Sequence, residues 1–81
     1  MGYHLARSRA NPAVLAVVSP STLQGVKLTC AGRRGEAPVG TPFTFSASCW
    51  TLVQRLPDTL GSRLRADPHL WAAHIKPRLS S

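Results

Sequence analysis

Acidic residues are nearly missing from this chain. Its 81 residues include only Glu36, Asp58 and Asp67, against ten lysines and arginines, for a formal charge of +7. So few carboxylates leave little for paired general acid and base work. Asp58 and Asp67 read better as helix caps, each preceding or opening a helical turn. Large side chains are also scarce: two Phe, two Trp, one Tyr and one Met. Much of the apolar content is alanine, so a core of this size is thin. No long hydrophobic run occurs. The aliphatic stretch Ala13–Val18 is six residues, against the roughly 20 a membrane-spanning helix needs. No transmembrane span is expected. Nucleophile-elbow, phosphate-loop and dinucleotide-binding patterns are absent. The chain therefore reads as non-enzymatic, with no cofactor.

Only two cysteines are present, Cys30 and Cys49. With His69 and His74 they form the one combination that resembles a zinc set. The cysteines are too far apart for the usual close pair. Histidines five apart on a helix also lie about 140° apart around its axis. No metal site is expected. A Cys30–Cys49 disulfide fits the spacing better, and closing that loop would contribute about 3 kcal/mol in an oxidising compartment. Free buried cysteines are the simpler reading.

What the chain does have is arginine: eight, against two lysines. Arginine pairs bidentately with phosphate and carboxylate. The charge is spread over both halves, with Arg7, Arg9, Lys27, Arg33 and Arg34 in the first and Arg55, Arg63, Arg65, Lys76 and Arg78 in the second. Such an excess attracts acidic proteins, anionic lipid and nucleic acid alike, because the field reads only charge. The first acid is Glu36. An acid-free, Arg- and Ser-containing start is the composition of a mitochondrial transit segment, although Pro12 and Pro20 interrupt any helix there. Mitochondrial and cytoplasmic or nuclear locations both fit. Secretion does not, since the apolar run is too short for a signal core. Leu, Ala, Arg, Ser and Pro make up more than half the chain. That is also the mixture expected from GC-rich codons, and so from a short or young reading frame without a defined biochemical activity.

Along the chain, residues 1–12 read as a basic, disordered entry. Residues 13–48 read as weak strands with a Gly- and Pro-rich loop. Ala13–Val18 is a short β-branched run. Residues 26–30, VKLTC, alternate, with Val26, Leu28 and Cys30 on one face. Residues 43–49, FTFSASC, alternate again, and the two runs suggest a β-hairpin across a long loop. VKLTCAG followed by FTFSASCW is similar to the first-cysteine strand of an immunoglobulin domain, but too little chain follows Trp50 for that sandwich.

From residue 49 the period changes. Cys49, Leu52, Val53 and Leu56 fall at helical spacing, and Pro57 ends that piece. Asp58 starts a second piece with Leu60 and Leu64 on one face, and Gly61 costs it about 1 kcal/mol relative to alanine. Asp67-Pro68 starts a third, which stops before Pro77. Residues 49–76 are thus expected as short helical segments and 77–81 as a tail. The fold expected is a small α+β arrangement: a weak β-hairpin, then short, Pro-punctuated helices. Without folding, the chain would be largely disordered with nascent C-terminal helices. The expected function is that of a small basic interaction protein. Its surface for a partner or membrane would be Leu60, Arg63, Leu64, Arg65, Trp71, Ile75, Lys76 and Arg78. Its partner would be a protein or anionic surface: an acidic partner, anionic lipid or nucleic acid. A mitochondrially targeted or membrane-surface protein and a non-specific nucleic-acid binder are the alternatives.

Overall fold

A computed structural model of the chain describes residues 2–29, 37–71 and 73. The β-branched and aliphatic runs become strands: β1 Tyr3–Ser8, β2 Leu15–Ser19, β3 Gln24–Lys27, β4 Pro42–Thr44 and β5 Trp50–Leu56. They form one antiparallel sheet in the order β4-β3-β2-β1-β5. One helix follows, α1 Asp58–Ala66.

This overturns the helix-rich expectation. The molecule is a small antiparallel five-stranded sheet with one short helix. Two elements carry the correction. The entry at residues 1–12 contains β1, which pairs on both sides, with β2 and with β5. Its alternation, Tyr3, Leu5 and Arg7 against His4, Ala6 and Ser8, is a strand period that the two nearby arginines obscure. The stretch expected as a first helix is β5. Its helical spacing and its β-rich composition, WTLV, conflicted, and pairing with β1 settled the conflict. The hairpin expected from residues 26–30 and 43–49 is replaced by a pairing of Gln24–Lys27 with Pro42–Thr44 inside the larger sheet. Gly25 lies opposite Phe43, and β4 ends at Thr44.

Register places large residues on one face of the sheet. Leu5 lies opposite Val17, Val17 opposite Val26, and Tyr3 opposite Leu56. α1 packs on this face. Leu5, Val17, Val26, Leu28 and Leu56 form one cluster with Leu64 and Trp71, flanked by Tyr3, Leu15, Leu60 and Leu70. Gly61 is the point of closest approach, because a Cβ there would overlap the Tyr3 ring. Beyond β3 the pairing continues through a side chain. The Thr29 hydroxyl accepts from Leu15 N–H at 2.8 Å and donates to the Ala13 carbonyl at 3.0 Å.

The other face carries small residues at its centre, Ala6 opposite Ala16 and Gly25 opposite the buried Val18. Phe43 lies against Gly25 and stacks on Trp50, with ring centroids 4.5 Å apart. These rings belong to β4 and β5, the first and last strands in the sheet order. Four inter-strand gaps would separate them by about 19 Å in a flat sheet. The link from Thr44 to Trp50 is turned, with Cys49 and Trp50 N–H both donating to the Ser46 carbonyl at 3.0 Å, so it cannot span such a distance. The sheet therefore curls toward its small-residue face, and the stacked rings join its two ends.

Candidate interaction surface

The curled sheet leaves β5 as its long outer strand. β5 has seven residues, whereas β4 has three. Among the residues of β5 only Leu56 is buried, and residues 51–55 are exposed. Leu52 and Val53 stand 46% and 45% accessible, two of the three large exposed hydrophobics among the described residues. The third is Leu23.

The ladder to β1 fixes which backbone groups of β5 are committed. Arg9 N–H donates to the Cys49 carbonyl at 2.9 Å, and the register runs on through Ser8–Trp50, Arg7–Thr51 and Ala6–Leu52. Hydrogen-bonded and non-hydrogen-bonded pairs alternate in an antiparallel ladder. Arg9–Cys49 and Arg7–Thr51 are thus the bonded pairs, and the N–H and C=O of Leu52 point away from β1. The register then shifts between Leu5 and Ala6, so Val53 is an extra residue in β5. A bulge of this kind bends an edge strand.

Arginines flank this edge. Arg7 lies opposite Thr51 and Arg55 opposite His4, and both arginines are exposed. Arg9 is also exposed, and its Nε donates to the Ala47 carbonyl at 3.2 Å. An open cleft of about 370 Å³, lined by Gly2, His4, Pro20, Ser21 and Arg55, adjoins the C-terminal end of β5.

The surface expected from sequence meets a different fate. Leu64 is fully buried, Trp71 is 4% exposed, and Leu60 packs at the margin of the same cluster. Their apolar side chains pack against the sheet. Arg63 is exposed and Arg65 half-buried. Both lie in the last turn of α1, as Asp58 lies in the first, which complements the helix dipole. Ile75, Lys76 and Arg78 lie outside the described residues, as do Arg33, Arg34 and His74. So does Cys30, which leaves the Cys30–Cys49 pairing outside description; Cys49 itself is exposed. Among the described residues no three His, Cys, Asp or Glu side chains gather as a metal site. No described helix is long and apolar enough to cross a membrane.

Asp58 does not cap α1. Pro57 occupies that position, with no side-chain cap bond, and Asp58 is the first helical residue. Asp67 closes α1 through its N–H to the Arg63 carbonyl, and its own carbonyl accepts from Leu70 N–H at 3.1 Å. Sequence reasoning missed β5 as a surface. The signal available was WTLVQRL itself, seven residues without Gly, Pro or an acid.

No family model, no curated protein and no solved structure matches this chain.

Proposed function

We propose that this chain is a small basic, non-enzymatic interaction protein whose partner is an acidic segment of another protein. The observation that carries the reading is the charge balance, ten basic side chains against three acidic ones on 81 residues. An exposed strand edge beside Arg7 and Arg55 supports a protein partner over a lipid surface. Lipid attachment would need an apolar face to insert, and Leu64 and Trp71 are committed to the core. The phosphates of nucleic acid would satisfy the charge but would make no use of unpaired strand groups.

The test is a competition at physiological salt. The protein is titrated with a Glu-rich peptide, with mixed-sequence duplex DNA and with vesicles containing phosphatidylserine. Saturable peptide binding that outlasts a rise in salt abolishing DNA binding is expected. Tighter binding to DNA or vesicles than to the peptide would reject the acidic-protein reading.

A further inference from the structure

We propose that the free edge of β5 receives the acidic partner as an added antiparallel strand. This rests on the reading of an acidic protein partner and specifies how that partner would be held.

Three observations converge on β5. First, the N–H and C=O of Leu52 face outward, as the Arg9–Cys49 bond and the following register require. An edge strand with unpaired main-chain groups is a template for another chain. Added strands gain affinity from main-chain hydrogen bonds and specificity from alternate side chains. Second, Leu52 and Val53 are large and exposed on this strand, where exposed edges are ordinarily blunted by charge or proline. An incoming strand would cover both. Third, the edge carries positive charge at both ends, Arg7 opposite Thr51 and Arg55 opposite His4. Among the described residues the acids are Asp58, just past β5, and Asp67, beyond α1.

A second copy of this chain is a poorer occupant. It would bring Arg55 and the rest of the +7 charge against the same surface, and like charge opposes association. An extended segment with glutamates flanking aliphatic residues fits both features. Its aliphatic side chains would meet Leu52 and Val53. Its carboxylates would reach Arg7 on one side and Arg55, at the mouth of the cleft with His4 and Ser21, on the other.

The outward amide of Leu52 gives a specific test. Proline is tolerated on an edge strand where its missing N–H would have faced solvent. Leu52→Pro therefore removes the docking donor without breaking a bond to β1. The probe is a blocked eight-residue peptide alternating Glu with Val and Thr, beside a control with Lys in place of Glu. Binding is followed on the whole ¹⁵N-labelled chain by NMR. The acidic peptide is expected to shift amides of residues 51–55 and slow hydrogen exchange at Leu52. Leu52→Pro is expected to weaken binding about tenfold or more while amide dispersion is retained, and Arg55→Glu to weaken it without moving the site.

Binding of the acidic peptide with shifts elsewhere, or unchanged by Leu52→Pro, would overturn strand addition yet leave the acidic-partner reading standing. Equal binding of the Lys control, or no binding, would defeat both. Should Leu52→Pro not fold, exchange protection of the Leu52 amide in the unaltered chain decides alone. Its absence in the bound state overturns the proposal.

Discussion

β2 and β5 are built from similar residues and end in opposite situations. LAVVS of β2 is buried at Ala16, Val17, Val18 and Ser19, and half-buried at Leu15. WTLVQRL of β5 is exposed from Thr51 to Arg55 and buried only at Leu56. Hydrophobicity alone does not separate them, since both hold Leu and Val. Place in the sheet does. β2 has β1 on one side and β3 on the other, with α1 over one face, whereas among the described residues β1 is the only strand hydrogen-bonded to β5. Burial of a strand is thus decided by the strands that flank it, and an apolar edge strand is a surface that the fold itself leaves unfinished.

The contrast is sharpest at the buried end. Leu56 and Leu64 are 1% and 0% exposed and belong to one cluster. Truncating either to Ala removes apolar contacts and leaves a cavity, which is expected to cost about 2–5 kcal/mol. Total stability for a domain is only about 5–15 kcal/mol, and for one this small it falls at the lower end. Urea unfolding of Leu64→Ala should thus show a large fall in midpoint or no folded baseline. A change below about 1 kcal/mol would mean that α1 does not seal this face.

Gly61 tests the same seal with opposing terms. In an exposed helix, Gly→Ala gains about 1 kcal/mol. Here the added methyl would overlap the Tyr3 ring, and overpacking costs about 1–3 kcal/mol. The net expectation is destabilisation, read as a lower thermal midpoint. A higher midpoint would show that Tyr3 moves aside at little cost and that α1 sits loosely on β1.

Much of this was legible in the sequence, and the failures are instructive. The run Ala13–Val18 pointed to β2, and the alternation of Val26 and Leu28 to the core side of β3 and the residue just past it, because period and composition agreed. The helix at Asp58 was legible from Leu60 and Leu64, though not its cap. β1 was hidden because Arg7 and Arg9 dominated the reading of a short segment. β5 was hidden because Leu52, Val53 and Leu56 satisfy a helical period while only Leu56 turns inward. The burial of Leu64 and Trp71 was hidden for a related reason. Leu64 and Trp71 are where an amphipathic helix would present a face, and sequence does not say that Leu5, Val17, Val26 and Leu56 of the sheet already pack with them. Gly61 read as a defect of the helix, and the Tyr3 ring beside it supplies the reason for it.

Leu23 contrasts the turns with the strands they join. It has φ 57°, a left-handed conformation, in the turn between β2 and β3. Its N–H donates to the Ser19 carbonyl at 2.9 Å, and its carbonyl accepts from Phe45 N–H at 2.7 Å. A leucine there pays about 1–2 kcal/mol that glycine does not. Its side chain is half exposed, so little burial is lost on removal. Leu23→Gly is expected to be stabilising by about 1 kcal/mol, offset in part by greater freedom of the unfolded chain. That corresponds to a thermal midpoint higher by about 4–8 °C. A lower midpoint would show that the Leu23 side chain contributes more to the turn than its conformation costs.

The smallest stability effect belongs to the open side of β5, and it returns to the opening contrast. Leu52→Thr and Val53→Thr exchange exposed aliphatic groups for a β-branched residue that suits a strand. Away from buried features such changes stay within about 0.5 kcal/mol. Thermal midpoints should therefore barely move, in contrast to Leu56→Ala in the same strand. An acidic strand docked on β5 would lose the aliphatic cover these residues provide, so peptide affinity should fall while stability does not. A stability loss comparable to that of Leu56→Ala would instead mean that Leu52 and Val53 are covered within the chain. β5 would then resemble β2 rather than oppose it, and the edge would have no room for a partner.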